Sequence, residues 1–549
     1  MSEQIIIIGM DGADPGLALK WAAEGRLPAL QSLLERGRGG TLWSTPNAMS
    51  PAAWSSFATG LNPGRHGVFY FLDRRPGTYD LMHAGSRTRD GVSFWKAASL
   101  AGKKVAVLHE PMTFPAEELN GVQVCGWLAP GANAPGYTYP AELAAELRTQ
   151  FPDFVLHTGM TEFIRRGRYD LALEKKLASV RVKGKLARHV LQRDDWDVFL
   201  TVFDETDPIS HYFWHFMDEG HPEHQPDTAH RYDEAIFDVY RAVDEEIGRL
   251  LETAPADAHV FVMSDHGSTR NSRGALYLKA LLREMGLEIG KEGRGGVSAA
   301  GIAHRLADNL LPSRAKHWAA ERFSGLASRM LTRSAAGDID YDRSRAYTFW
   351  CNGCAEPWLN LAGRDPKGLV HGGNEADALV AELREALLGA TEAGNGARLV
   401  EAVDLASDVY HGPHLDRAPD LLVHWTDTVV QAGLRTTHRG REIFVTEPCA
   451  EDLRRGNHRR EGLLLAAGPR IAPGEMPADM SIMDLAPTFL GLLDVPTPGE
   501  LDGKARGDLI SDLHGAQAKA PLPVAEEAAP YTAEEEAAVE ERLKDLGYL

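Results

Sequence analysis

The sequence predicts an α/β protein, a largely parallel sheet flanked by helices with an inserted cap, and three observations lead there. Residues 4–10, Gln-Ile-Ile-Ile-Ile-Gly-Met, are a continuous apolar run ending beside a glycine, which is how a strand buried on both faces reads. The same pattern recurs at 104–108, 198–203 and 259–263. Helical periodicity, as over 232–251, falls between these runs, and strands alternating with helices build a parallel sheet. In such a sheet ligand-binding groups collect beyond the carboxyl ends of the strands, so the polar residues that follow each run are the first candidates for function.

Taken in order, residues 1–285 form the first part of this core. From 286 to 345 the character changes. A glycine-rich stretch, Gly290 to Gly296, leads into a basic, helical segment carrying Arg305, Arg314, Lys316 and Arg333, which predicts a helical insertion or cap. Strand-like segments resume at 357–361, 421–424 and 462–467, so 346–515 reads as the second part of the core. Residues 516–549 are an Ala/Pro/Glu linker and a C-terminal helix, which Thr532 and Glu535 open as a capping box. Val539, Leu543 and Leu546 share one face of that helix, an apolar stripe that must cover some surface and through which a homo-oligomer could form.

With 549 residues, 44% hydrophobic and 25% charged, the chain has the material for a large core and not the composition of a disordered protein. Its formal net charge of −20 is spread along the chain, which excludes a general binder of nucleic-acid phosphates. A phosphate ester stays open as substrate, because bound metal ions invert the sign of a local site. The start, Met-Ser-Glu-Gln, has no basic segment, and the apolar run Ile5 to Ile8 is far shorter than the roughly 20 residues of a membrane span. A cytoplasmic protein without a membrane partner is expected. Four cysteines cannot frame a chain of this size with disulfides, and the lone CxxC of Cys351 and Cys354 reads as two incidental thiols rather than half a zinc site or a redox pair.

The chemistry-bearing residues follow the strand ends. Asp11 closes the first run. Ser264-Asp265-His266-Gly267 follows the run at 259–263 and sets two adjacent metal-competent side chains at a strand end. Asp207 and His211, four apart after the run ending at Phe203, share one side of a helix. His458 precedes the run at 462–467. Ser50 reads as a helix N-cap with Pro51 at the first helical position. A plain cap is one reading of Ser50; the other is a hydroxyl placed where backbone N–H groups and the helix dipole favour an incoming phosphate. Singly, an Asp or His near a strand end is commonly a cap or a surface residue, and the shared position makes the set stronger than its members.

In this order, over residues 4–510, Ile5 to Gly12, Ser50 with Thr59-Gly60-Leu61-Asn62-Pro63 and His66-Gly67, Asp207 with His211, Ser264-Asp265-His266-Gly267 and His458 resemble the alkaline phosphatase superfamily. The resemblance is closest to its type I phosphodiesterase and nucleotide pyrophosphatase branch, and there to a bacterial phosphohydrolase or phosphomutase group. It implies an alkaline phosphatase-like core and two divalent metal ions, usually zinc and sometimes manganese, with a nucleophilic serine or threonine between them. Carried over, Asp11, Asp265 and His266 would hold one ion beside Ser50, and Asp207, His211 and His458 the other. Asp204 and His215 compete with Asp207 and His211, and the family spacing Asp-x-x-x-His favours the latter pair. His66 would support its loop, and Ser55 and Ser56 would be buried helix residues. Attack by Ser50, a phosphoserine intermediate and its hydrolysis complete the implied reaction.

Two departures narrow it. The asparagine that follows the HG motif in nucleotide pyrophosphatases is replaced by Val68-Phe69-Tyr70-Phe71, which argues against nucleotide substrates and offers apolar surface to an ester group. Ser50-Pro51-Ala52-Ala53-Trp54 does not resemble the C/S-x-P-x-R segment of sulfatases. The expectation is a metal-dependent phosphodiesterase acting on a small-molecule phosphoester. A phosphomonoesterase or phosphomutase is the alternative within the superfamily, and a non-catalytic phospholigand-binding protein the alternative outside catalysis. Leaving-group recognition is expected from the 285–345 insertion and from the loops around Thr113 and Arg364.

Overall fold

The computed structural model describes residues 3–291, 338–349, 355–513 and 532–545. At its centre nine strands form one sheet, in the order Gly474–Glu475, Gly37–Trp43, Glu461–Ala467, His259–Met263, Ile5–Met10, Val198–Phe203, Val105–Leu108, Gly121–Val124 and Thr138–Tyr139. The five strands from His259–Met263 to Gly121–Val124 run parallel; direction reverses at Glu461–Ala467 on one side and at Thr138–Tyr139 on the other. The four apolar runs thus become adjacent strands of the largely parallel sheet that the sequence predicts.

Burial on both faces follows from the two-residue period of a strand. Ile6, Ile8 and Met10 pack into one core cluster with the helices Tyr169–Leu191 and Ala235–Leu251. Ile5 and Ile7 pack into another with Ser50–Thr59, Phe94–Leu100 and Leu485–Leu492. The helix expected from residue 232 begins at Ala235, after a turn closed by the Ala235 N–H on the Tyr232 carbonyl at 3.0 Å.

Register then aligns the strand ends. Met10 pairs with Phe203 and Gly9 with Met263, so the loops beginning at Asp11, Asp204 and Ser264 open on one edge of the sheet. Gly12 makes this possible: its φ is +67°, and a Cβ there would stand 2.8 Å from the Asp207 Cβ. Beyond the same edge, Gly267–Arg270 pairs antiparallel with Gly456–Arg459, setting Ser268 opposite His458.

The strand Gly37–Trp43 has no apolar run to announce it. It lies antiparallel to Glu461–Ala467, where a Cβ on Gly37 would fall 2.2 Å from the Ala466 carbonyl oxygen. The strands expected at 357–361 and 421–424 stand outside the main sheet: Trp358–Leu359 pairs with Ala346–Tyr347, and Leu421–Trp425 with Val400–Leu405. The basic residues Arg305, Arg314, Lys316 and Arg333 of the expected cap lie outside the described residues, as do Cys351, Cys354 and Leu546.

The C-terminal helix Ala533–Asp545 opens with the capping box. The Thr532 N–H donates to Glu535 Oε2 at 2.7 Å and the Glu535 N–H to Thr532 Oγ1 at 3.2 Å. Val539 and Leu543 are buried in the chain's own core, and Arg542 donates to the carbonyls of Trp127 and Pro130. Of the expected stripe, Val539 and Leu543 therefore cover a surface of their own chain. No helix among the described residues is long and apolar enough to cross a membrane.

Candidate active site

Ser50 starts the helix Ser50–Thr59 as a helical residue, with Met49 as the N-cap in an extended conformation. This corrects the capping reading of Ser50 by one position. Its side chain makes no cap: Ser50 Oγ lies 3.1 Å from His266 Nε2, and the residue is 1% exposed. The helix start is thereby turned toward the strand ends, with its positive dipole end at the hydroxyl.

Asp11 is anchored through its backbone, its N–H on the Phe203 carbonyl and its carbonyl accepting from Thr206 Oγ1. Its Oδ2 accepts from Trp54 Nε1 at 3.2 Å, and its Oδ1, buried and without a hydrogen bond, lies 3.7 Å from His266 Nε2. Asp265 Oδ1 accepts the Gly12 N–H at 3.1 Å, while Oδ2, likewise buried without a hydrogen bond, lies 3.3 Å from His266 Nε2. On the helix Thr206–Met217, Asp207 and His211 are one turn apart, Asp207 Oδ1 lying 3.2 Å from His211 Nε2 and 3.3 Å from His458 Nε2.

All three imidazoles are held the same way. Nδ1 of His211, His266 and His458 faces the backbone carbonyl of Gly456, Gly267 and Ala48 at 2.8, 3.0 and 2.9 Å respectively. A ring nitrogen facing a carbonyl must donate, so the neutral ring presents a bare Nε2 lone pair to the cluster, the arrangement that supports metal ligation. His211 Nε2 and His458 Nε2 stand 3.1 Å apart. Burial holds the His266 imidazole well below its ordinary range, with His458 nearby adding to the effect, and burial lowers His458 too. Burial, then Asp265 and Asp207, push the Asp11 carboxyl well above the carboxylate range. Burial and the Asp207 charge push Asp265 up to about 7. At Asp207 burial works upward, but His211 and His458 hold the carboxyl well below that range.

Three buried carboxylates and the three Nε2 atoms that face them meet here, a donor set of the kind that holds a metal ion. Donor atoms of Asp207, His211 and His458 lie within 4.8 Å of one another, as do those of Asp11, Asp207 and His266. Mixed carboxylate and imidazole donors suit zinc or manganese. Asp207 thus belongs to both groups, a sharing that the expected assignment of ligands did not contain.

The competing residues are engaged elsewhere. Asp204 pairs with Lys183, as does Glu205, and His215 packs on Phe216 with ring centroids 3.9 Å apart. His66 bonds Ser56 Oγ at 2.9 Å inside its loop, and Ser55 and Ser56 are fully buried. Trp54 is the partner that sequence reading missed; a tryptophan one turn beyond Ser50 on the same helix is the signal that could have found it.

Beside His458 opens a cavity of about 670 Å³, lined by Met49, Tyr70, Trp43, Trp425, Glu356 and Arg460 among others. The expected recognition loops lie elsewhere. Arg364 is locked to Asp420 at 2.7 Å and to Asp365, and Thr113 is buried with its hydroxyl on the Glu110 carbonyl. Of Phe69, Tyr70 and Phe71, only Tyr70 lines the cavity. Phe69 packs on Tyr410 and Phe71 on Trp127, because the Asp73 carboxylate gathers the Phe69 and Tyr70 N–H groups and turns the loop inward.

A mostly parallel sheet that gathers carboxylates, imidazoles and a serine beyond one edge defines an alkaline phosphatase-like phosphoric ester hydrolase. The model of the type I phosphodiesterase / nucleotide pyrophosphatase family matches residues 5–433, and the chain belongs to that family. His458 lies beyond the matched span. Among solved structures, the chain is similar to phosphonoacetate hydrolase from Sinorhizobium meliloti 1021 in complex with phosphonoformate, at 15% identity over 90% of this chain and 96% of that one, with a TM-score of 0.53. It is also similar to human ectonucleotide pyrophosphatase / phosphodiesterase 5, at 12% identity over 93% of this chain and 100% of that one, with a TM-score of 0.47. No curated protein matches the sequence.

Proposed function

We propose that this chain hydrolyses phosphodiesters by nucleophilic attack of Ser50 at a site for two divalent metal ions. Asp11, Asp265 and His266 would hold one ion beside Ser50, and Asp207, His211 and His458 the other, with zinc the ion that the donor set suits best and manganese second. When bound, two such ions supply Lewis-acid stabilisation to the attacking and leaving oxygens of an in-line displacement.

The observation that carries the reading is Ser50 Oγ at the positive end of a helix, 3.1 Å from His266 Nε2, which in turn lies 3.3 Å from Asp265 Oδ2 and 3.7 Å from Asp11 Oδ1. Ser50 gives up its hydroxyl proton as Oγ forms the new bond to phosphorus, the bond from phosphorus to the ester oxygen breaks, and that oxygen takes up a proton as the alcohol departs. Water then cleaves the phosphoserine and returns the hydroxyl. Trp54 fixes Asp11 through Oδ2, and the backbone carbonyls behind the three imidazoles fix their tautomers, so the site is organised before substrate arrives.

A diester leaves two non-bridging oxygens on phosphorus and a monoester three. No asparagine follows His66-Gly67, and one N–H of the Asn47 amide is taken by the Phe69 carbonyl, which lowers the number of protein donors open to a third oxygen. The test is a panel of matched aryl esters. The expected order of kcat/KM is phosphodiester, then phosphomonoester, then sulfate; a strong monoester preference moves the assignment to a phosphatase or phosphomutase, and a sulfate preference overturns it.

A further inference from the structure

The cavity beside His458 carries charges of both signs, and their partners separate them. His424 engages Asp404 at 2.9 Å, and Arg459 turns away to Asp14 at 2.7 Å. Glu356 accepts the Val423 N–H at 2.9 Å, and burial pushes its carboxyl well above the carboxylate range. Glu401, Asp427 and Glu461 keep access to water. Arg459 and Arg460 both bury an Nε that has no acceptor, but Arg459 has the Asp14 carboxylate and Arg460 has no such partner among the described residues. Arg460 lines the cavity, its Nε is fully buried, and its side chain makes no hydrogen bond or ion pair among the described residues. A guanidinium N–H withdrawn from water with no acceptor is unfavourable, and an oxyanion is the partner its planar donors fit best.

The same cavity is lined by Met49, the neighbour of Ser50, and by His458. A substrate that presents phosphorus to Ser50 has room there for the remainder of the ester. We propose that Arg460 is a specificity residue that binds an oxyanion, a carboxylate or a second phosphate, carried on the leaving portion of the phosphoester. The inference rests on the diesterase reading for its reaction but not for its binding, and the two are tested apart.

Four substrates share one reacting centre: methyl phenyl phosphate and its 4-carboxymethyl, 4-phosphonomethyl and 4-aminomethyl derivatives. Wild-type protein should show kcat/KM about tenfold higher for at least one anionic derivative than for the neutral parent, the better of the two identifying the oxyanion. In Arg460→Gln that ratio should fall to near one, and in Arg460→Lys, which keeps the charge but loses the paired donors, it should lie between. A preference for the aminomethyl compound, or a ratio unchanged in Arg460→Gln, overturns the proposal. Calorimetric binding of phenylphosphonate against its 4-carboxymethyl and 4-phosphonomethyl analogues reads the same ratio without turnover. Selective, Arg460-dependent binding without any hydrolysis would sink the diesterase reading and leave the subsite standing; hydrolysis with no such selectivity would do the reverse. Arg460→Lys serves as the folded comparison should Arg460→Gln fail to fold.

Discussion

Asp11, Asp265, His266 and Ser50 hang from the central sheet and from the helix packed on it, whereas Asp207 and His211 ride on a helix beyond the sheet and His458 on the strand Gly456–Arg459, paired with Gly267–Arg270. The first group is sealed, each residue at most 1% exposed, and its orphan carboxylate oxygens repel one another's charge. In the second, Asp207 Oδ1 faces Nε2 of both His211 and His458, and His458 borders the open cavity. The difference teaches a division of labour. Of the second group only His458 reaches the cavity, Asp207 and His211 being 6% and 2% exposed, so under the proposed reaction the sealed group would face the transferred phosphoryl group and His458 the portion that leaves.

Replacing the nucleophile breaks this comparison most severely. Ser50→Ala should retain both metal equivalents yet lose ~10³-fold or more in kcat, checked by elemental analysis beside steady-state kinetics. Asp265→Ala and His458→Ala separate the halves. Purified wild-type protein grown with zinc and manganese should carry about two transition-metal equivalents per chain, and each variant should lose at least one. Wild-type protein with no metal, and no activity on adding it, would refute the ligand assignment.

Smaller effects come from supports outside the cluster. Leu543, fully buried, joins the C-terminal helix to the core. Leu543→Ala should lower unfolding free energy by about 2–4 kcal/mol in urea titration while leaving metal content intact. Loss of metal from this folded variant would show that the C-terminal helix reaches the site. Asp452 braces the chain that leads into the His458 ribbon, pairing with Arg454 at 2.9 Å and accepting from Asn271. Burial alone would raise its carboxyl, but Arg454 and the hydrogen bonds prevail and bring it down to about 2. Because the folded value lies below the unfolded one, the stabilisation is complete above about pH 4 and is lost as pH falls toward 2, an effect of about 2 kcal/mol. Asp452→Asn should flatten that part of the stability profile; an unchanged slope would place the acid sensitivity elsewhere.

The sealed half was the more legible in the sequence, for a physical reason. Continuous apolar runs mark strands buried on both faces, and Asp11 and Asp265 follow such runs directly. Gly37–Trp43 escaped the same reasoning because close neighbours select glycine where a strand pattern would show branched side chains: Ala466 and Ala467 at Gly37, Leu34 at Gly39 and Met476 at Gly40. His458 reaches its place through pairing with residues nearly 200 positions earlier, Ser268 standing opposite it, and no local pattern encodes that contact. Only the order of motifs shared with a family pointed to it. The cavity was illegible for a related reason: Tyr70, Glu356, Trp425 and Arg460 come from distant segments, and Phe69 and Phe71, which sequence alone would face toward substrate, are turned inward by Asp73.

The central claim is that phosphorus passes through Ser50. Rapid acid quench of wild-type protein with a diester labelled at phosphorus, followed by peptide mapping, tests it most directly. The account predicts label on Ser50, absent in Ser50→Ala. Label on Ser55 or Ser56, or turnover with no protein-bound label at any quench time, would contradict it.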